Sequence, residues 1–513
     1  MVITLIRKLI RVRLLTPVGL FRLGEAIATE GINLMALLRL AAKLHPRRTA
    51  IAAEGEALNY PQLWQQAHTL AIALQQDYGL QRSQKVAIAC RNHPAAVKAI
   101  FAASRLGAHV FLFNPEMSAA QLQQLTERLA VDFYIYNLPE DGATPAWLQD
   151  SPLAVNSLPA SHTTAPCIDQ LAVQSPPRNP RLRKVKTGNL VVMTGGTTGQ
   201  PKAASRKPSL FTFLPPFVAL LRQVELDRYR SVYIATPIYH GFGLAALLMG
   251  VLLGAELHLT QRFDAARACE LIAQAKIQVA TLVPLMLQRM LDRDPAALTS
   301  LRRILSGGAR LQPTLAEAAL SQLGPSLFNL YGTSEAGFCL LAAPELLRRK
   351  PASIGQPVWG VGAQIVDQAD QPVSPGNIGR LRIRSAWSVS QNRWIETGDL
   401  AYRDAEGDIF LCDRIDDMVV SGGENVYPIE LENVLLQHPD ISATAVFGIP
   451  DEEFGQRLKA VVVRKDNAPL DKESLRTWLK PRVARYQMPA AIEFRRELPY
   501  TALGKLDKKA LRS

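Results

Sequence analysis

The segment NLVVMTGGTTGQPKAAS (189–205) carries the densest chemical signal in the sequence. An apolar strand runs into a loop holding Gly195, Gly196 and Gly199, hydroxyls on Thr194, Thr197 and Thr198, and then Lys202. Glycines let backbone N–H groups approach phosphate oxygens closely, and the hydroxyls add donors. The loop is not a Walker A motif, which needs Gly-Lys-Ser/Thr; here Pro201 precedes Lys202 and Ala203 follows it. Further along, Glu335 in YGTSE (331–335), Asp399 in TGDLAYRD (397–404) and Lys505 in PYTALGKL (499–506) sit in glycine-flanked or loop-like stretches. Core packing explains charged side chains poorly in such places. His240 in PIYHGFG (237–243) reads either as a substrate contact or as a packed core histidine. Gly307 and Gly308 in SGGARL (306–311) read either as part of a site or as a simple turn after a strand.

Taken in order, these motifs resemble those of the adenylate-forming superfamily of acyl-CoA synthetases, peptide-synthetase adenylation domains and luciferases. The resemblance spans roughly residues 50–513, and six motifs in one order argue against coincidence. The loop departs from the family pattern at Gly195, where serine is usual, and at Ala203, where glycine is usual. The resemblance implies ATP contacts from Thr194, Gly195, Gly196, Thr197, Thr198, Gly199 and Lys202, and from Gly307, Gly308 and Ala309 beside adenine and the acyl pocket. It also implies that Tyr331, Gly332, Thr333 and Ser334 line the nucleotide site, Tyr331 by stacking on adenine or merely by packing. Ser334 keeps the hydroxyl of the usual threonine. Glu335 is then the Mg²⁺ residue, His240 the gate of the carboxylate pocket, Asp399 and Arg414 the ribose contacts, and Lys505 the adenylation lysine. Asp416 becomes the hinge, and Ser421, Gly422 and Gly423 border the tunnel for CoA.

The implied activity is ATP-dependent activation of a carboxylic acid to acyl-AMP, followed by thioester formation with CoA. A medium- or long-chain fatty acid leads as substrate; an aryl or polyketide-type acid, or loading of a carrier protein, is the alternative. The segment 385–399 before Thr-Gly-Asp is abbreviated relative to most acyl-CoA synthetases, and Ile395 stands where an aromatic is common. No acidic residue lies in IYHGFGL (238–244) to hold an α-amino group, which argues against an amino acid substrate.

The elements that must position these residues follow from periodicity. Between about residues 50 and 335, short apolar runs such as 85–90, 231–237, 279–284, 302–308 and 326–332 alternate with helical stretches such as 61–76 and 94–107. That alternation predicts α/β layering with largely parallel sheets. From about 355 to 412 the pattern turns β-rich, and the last hundred residues read as a small α+β unit. The fold expected is therefore α/β: a large N-terminal domain of layered α/β subdomains plus a β-rich subdomain, then a small mobile α+β C-terminal domain. The divisions are 1–48 for a basic amphipathic N-terminal segment, 49–415 and 416–513, and the resemblance implies that 49–415 is the AMP-binding domain and 416–513 a mobile lid. The stretch 175–186 reads as a polar, proline-containing linker.

The chain has 513 residues, 48% of them apolar and 20% charged, enough to bury a large core and too apolar for global disorder. The five cysteines, Cys90, Cys167, Cys269, Cys339 and Cys412, are scattered and odd in number, which fits a reducing, cytosolic compartment better than a disulfide framework. Of the net charge of +13, the first 50 residues carry +7, with nine basic side chains against Glu25 and Glu30. The remainder is only mildly basic, which weakens a nucleic-acid reading. As a helix, MVITLIRKLIRVRLL (1–15) puts Ile3, Ile6, Ile10 and Leu14 along one side, with Arg7, Lys8 and Arg11 largely opposite. Two readings stand side by side: peripheral contact of residues 1–22 with an anionic membrane surface, or a helix packed on the protein with its basic face in water. A transit peptide is a weaker third, since serine is lacking.

Overall fold

The computed structural model describes residues 2–53, 55–137, 154–156, 167–174, 182–194, 202–206, 210–390, 392–421, 424–451, 454–465, 468–484, 487–501, 505–507 and 510–511. Two large sheets and one small one organise these residues. The six-stranded sheet runs Ala154–Asn156, Phe133–Tyr136, Lys85–Ala89, His109–Leu112, Leu190–Thr194, Lys202–Arg206. Its neighbours pair in parallel except the last two, which pair antiparallel with Thr194 opposite Lys202. The phosphate-loop motif is therefore the connection of a hairpin at one sheet edge. Its residues Gly195, Gly196, Thr197, Thr198 and Gly199 lie outside the described residues, as do Gly422 and Gly423.

The second sheet has thirteen strands. One half is a parallel block, Leu327–Thr333, Arg303–Gly307, Val279–Leu282, Ser231–Ile234, Glu256–Leu259 and Thr49–Ala53, with Glu56–Asn59 antiparallel at the edge. Val279–Leu282 is buried at all four positions, as expected of a parallel strand covered on both faces. The other half is antiparallel: Gly337–Ala342, Ser353–Pro357, Ile409–Arg414, Ile395–Arg403, Gly379–Ser385 and Val361–Val366. The β-rich region expected as a subdomain thus continues the same sheet path, joined through the hairpin at 333–337. Helices 60–76 and 94–105 cover the main core with Leu63, Leu70, Ile100 and Phe101, all fully buried. The first begins with a capping box between Asn59 and Gln62, which satisfies two backbone donors.

The C-terminal unit has its own sheet, in which Ile441–Asp451 and Gly455–Arg464 form a long antiparallel pair and Ala491–Arg495 adds in parallel. Helices 428–435 and 472–479 close over it through Leu431, Leu435, Leu475 and Leu479, all buried. Asp416 lies in the one-turn 3₁₀ segment Ile415–Asp417, between the last strand of the body and Val419–Ser421, the first strand of this unit.

The N-terminus departs from the sequence reading. Helices α1 (Val2–Arg11), α2 (Pro17–Glu30) and α3 (Leu34–Leu44) precede the first strand. α3 is buried along Leu34, Met35, Leu38 and Ala41 in the main core, so the body takes in part of the 1–48 segment. Glu30, at the end of α2, is fully buried and pairs with Arg105 at 2.6 Å. The linker reading of 175–186 is also corrected for its described part, since Leu182 and Arg183 carbonyls accept hydrogen bonds from Arg105 and Val185 accepts from Asn33. α1 packs on the protein through Lys8 and Leu9, with Val12 just beyond it, and not through the Ile6–Ile10 side expected. Ile6 and Ile10 are exposed, whereas Lys8 is buried. The reason is Asp227, whose side chain is 0% exposed and receives Lys8 Nζ at 3.1 Å and Arg11 Nη1 at 2.9 Å. A buried carboxylate left unpaired costs more than two isoleucines left in water.

Candidate active site

Residues from the sheet and from the C-terminal unit converge at the carboxyl ends of the parallel strands, the usual ligand position in open α/β sheets. Asp399 is the centre. It lies in Ile395–Arg403, directly opposite Arg414 in the neighbouring antiparallel strand. Arg414 Nη1 donates to Asp399 Oδ1 at 3.0 Å and to the Thr397 carbonyl at 3.1 Å. Tyr331 Oη donates to Asp399 Oδ2 at 2.5 Å. Thr397 completes the cradle: its hydroxyl donates to the Leu381 carbonyl and accepts from the Asp399 backbone N–H at 3.1 Å. Gly398 has φ +77°, and a Cβ there would stand 2.8 Å from Arg414 Nη2. The middle residue of Thr-Gly-Asp is thus glycine for both backbone and steric reasons. Two carboxylate oxygens offer about four lone-pair sites, so Asp399 retains acceptors for a ligand diol after binding Tyr331 and Arg414.

Lys505 reaches the same place from the C-terminal unit. Its backbone is tied to the preceding segment, with Tyr500 bridged to Leu506 and the Thr501 N–H donating to the Lys505 carbonyl at 2.8 Å. Although the residue keeps contact with solvent, the protein around its amine lowers the lysine pKa; Arg414 lowers it further, while Asp399 and Glu335 oppose the shift. Both carboxylates and Arg414 are therefore within electrostatic reach of one ammonium. His240 ends the segment after Ser231–Ile234 and precedes helix 241–253. Burial, with a smaller contribution from Lys505, pushes its pKa down to about 4, so the ring is neutral near pH 7. Its Nε2 is buried without a hydrogen-bond partner among the described residues, an uncommon state that a bound ligand would relieve.

One supporting residue, Asn92, was not legible from motifs. Asn92 pins the His240 segment, donating to the Ile234 and Thr236 carbonyls and accepting from the Ile238 N–H at 2.7 Å. Its only sequence signal is a polar residue after a strand at 85–89. Tyr331 is buried and tied to Asp399, which with burial holds its phenol well above the usual range. Thr333 Oγ1 accepts from the Ala336 N–H and so shapes the turn bearing Ser334 and Glu335. Gly307 and Gly308 end Arg303–Gly307, beside Ser306, whose buried hydroxyl also lacks a partner among the described residues. Ala309 follows, half-buried, and Gly332 lies within the Leu327–Thr333 strand. For Thr194, Lys202, Asp416 and Ser421 the structure describes the backbone, in strands for three of them and in the 3₁₀ turn for Asp416.

The donor set fits the implied metal. Among the described residues no three His, Cys, Asp or Glu side chains stand together as a cage. Mg²⁺ keeps several waters and takes one or two carboxylates plus substrate phosphates, so a single carboxylate such as Glu335, within electrostatic reach of Lys505, is what the implied metal would need from the protein.

The AMP-binding enzyme family model matches residues 38–391, and that of the AMP-binding enzyme C-terminal domain matches 430–505. The chain belongs to the AMP-binding enzyme family. It is 30% identical over 489 residues to a feruloyl-CoA synthase of Amycolatopsis, covering 92% of this chain and 96% of that one. It is also 30% identical over 350 residues to a medium/long-chain-fatty-acid–CoA ligase of Mycobacterium tuberculosis, covering 62% and 60%. Among solved structures it resembles the o-succinylbenzoate coenzyme A synthetase of Bacillus subtilis in complex with ATP and magnesium ion. The TM-score is 0.79 at 25% identity, with 93% of this chain and 99% of that one covered. The AMP-binding enzyme described here is an AMP-forming acid–thiol ligase of the acyl-CoA synthetase type.

Proposed function

We propose that the enzyme activates an aromatic carboxylic acid with ATP and passes it to CoA. The observation that carries the reading is the cluster in which Tyr331 and Arg414 bind Asp399, with Lys505 of the C-terminal unit within electrostatic reach of Asp399, Arg414 and Glu335. A cation placed beside a ribose-type diol acceptor and a metal carboxylate suits the polyanionic transition state of adenyl transfer. In the first step a carboxylate oxygen attacks the ATP α-phosphorus; the new O–P bond forms as the bond to pyrophosphate breaks. Asp399 and Arg414 hold the ribose, and Lys505 faces the charge that builds on the transferring group. Glu335 would hold Mg²⁺, which when bound would neutralise charge on the phosphates. In the second step the CoA sulfur attacks the acyl carbonyl carbon and AMP leaves with the bonding pair. His240, neutral at the mouth of the acid site, contacts the substrate without adding charge.

Two features support an aromatic acid over the fatty acid expected from sequence. The feruloyl-CoA synthase matches nearly the whole chain, whereas the fatty-acid relative matches 62% of it. The His240 segment is also flanked by aromatic rings. Tyr239 lies 4.5 Å from the His240 ring, and Phe242 approaches within 3.3 Å of the position a Cβ on Gly307 would take. Ring edges and faces favour a planar partner. The fatty acid remains the second reading on the strength of the mycobacterial relative. The test is AMP release from a panel of hydroxycinnamic, arylacetic, medium-chain and long-chain acids, each with and without CoA. Higher kcat/KM on an aryl acid, dependent on CoA, is expected. A preference for a long-chain acid overturns the aromatic reading, and acyl-AMP that reacts only with a phosphopantetheinylated carrier overturns CoA as acceptor.

A further inference from the structure

The strongest feature outside the active site is the corner formed by α1 and α2, which precedes the residues matched by the family model. Six of the thirteen large hydrophobic side chains exposed among the described residues fall between positions 6 and 21: Ile6, Ile10, Leu15, Val18, Leu20 and Phe21. Val18 and Phe21 are 63% and 68% exposed. Scattered exposed apolar residues are ordinary, but a concentration such as this marks an interaction surface.

Beside it lies a cavity of about 320 Å³ lined by Arg11, Arg13, Arg48, Arg228, Arg230 and His45, with Asp227 as its acidic member. Asp227 is already engaged by Lys8 and Arg11, and Arg228 is paired with Glu225 at 3.3 Å, which leaves Arg13, Arg48 and Arg230 as the basis of the excess. Among the described residues Arg13 and Arg48 donate to the backbone carbonyls of Leu44 and Gly254, which neutralise no charge. The crowding is felt inside the cavity. Burial and then Arg230 and Arg13 lower the Arg48 pKa; burial and then Arg48, Arg13 and Arg230 hold His45 at about 4. A concave surface with this excess of positive charge complements an anion with several acceptor oxygens, and guanidinium groups match phosphate geometry.

We infer that this corner docks the enzyme on an anionic lipid bilayer, with a headgroup phosphate in the arginine cavity and the exposed side chains of α1 and α2 in the acyl boundary. Charge complementarity selects the occupant: apolar residues flanked by a basic cavity match a surface that is apolar below and phosphate-bearing above. The helices lie along the body rather than across a membrane, in keeping with the lack of any described helix long and apolar enough to span one.

The test is co-sedimentation of the full-length enzyme with phosphatidylcholine vesicles, with and without phosphatidylglycerol. Deleting residues 1–22 is a poor probe, because it strips Asp227 of Lys8 and Arg11. Two surface double variants avoid this: Val18→Ser with Phe21→Ser, and Arg228→Gln with Arg230→Gln. Wild type is expected on the phosphatidylglycerol vesicles and released by salt. Loss of two basic charges should weaken binding roughly 30-fold. The serine variant should lose binding as well, and both should keep wild-type AMP formation on a soluble acid. Equal binding of wild type to both vesicle types, or of either variant and wild type to anionic vesicles, overturns the inference. So does a dimer abolished by Phe21→Ser with no vesicle binding, which would make the corner a self-association surface.

Discussion

Lys505 is where one proton most affects the chemistry. Its pKa lies below the ordinary lysine value of 10.5, through burial and then Arg414, so the ammonium is lost at lower pH than in a free chain. Acyl-AMP formation, followed by ATP–pyrophosphate exchange, should therefore fall on an alkaline limb that begins below 10.5. Arg414→Gln removes a repelling cation and should move that limb to higher pH, even as weaker ribose binding lowers the rate. A limb that stays in place assigns the titration to another group. Glu335 offers a separate handle. Glu335→Gln keeps the side-chain size and removes the charge that holds Mg²⁺. Adenylation should drop about 10²–10³-fold and recover in part as Mg²⁺ is raised, measured by the same exchange. Full activity at low Mg²⁺ would give the metal a different ligand set.

At the scale of elements, α1 shows how tertiary demands override a helical pattern. Lys8 is drawn inward by Asp227, which also pairs with the exposed Arg11 and which no local reading of residues 1–15 contains. Lys8→Met should therefore lower unfolding free energy by about 1–3 kcal/mol, seen as a reduced midpoint in urea. Asp227→Asn in the same chain should return part of the loss. Additive losses in the double variant would mean the two side chains do not act as a pair. The strands and helices of the α/β layers were legible because each has its own strong period: 85–89, 231–234 and 303–307 are short apolar runs, and 60–76 carries its own cap. Thr-Gly-Asp was legible as a motif because Gly398 and Asp399 are held by local geometry. The Tyr331–Asp399 hydrogen bond, the Asn92 clamp and the fusion of the β-rich strands into one thirteen-stranded sheet were not. Each joins residues far apart in the chain, and pairing partners leave no trace in a single sequence's periodicity.

At the scale of the molecule, the C-terminal unit is held against the body by polar contacts around the connecting turn Ile415–Asp417. Asp413, at the end of the last body strand, accepts from the Ile429 N–H of helix 428–435 at 3.3 Å. Arg310, on the loop after Gly308, is lowered in pKa by burial and drawn back by Glu432 and Asp413, so it faces carboxylates of both units. Contacts of this polar kind can exchange for others at small net cost, which permits rigid-body motion about a short segment. Asp416 occupies that segment, and in the arrangement described Lys505 stands within electrostatic reach of Asp399, Arg414 and Glu335. We expect a second arrangement in which Lys505 withdraws and the Ser421–Gly422–Gly423 turn approaches the thiol path. The half-reactions should then separate by mutation. Lys505→Ala should block acyl-AMP formation from ATP, yet still convert supplied acyl-AMP to thioester. Gly422→Leu should accumulate acyl-AMP and pyrophosphate and yield little acyl-CoA. Asp416→Pro, with φ fixed near −65°, should trap one arrangement and retain at least one half-reaction while losing overall turnover. Single-turnover assays of each half-reaction on folded variants check all three. Equal damage to both halves by Lys505→Ala and Gly422→Leu would mean that one fixed arrangement performs both steps, and that the segment around Asp416 is a connection rather than a hinge.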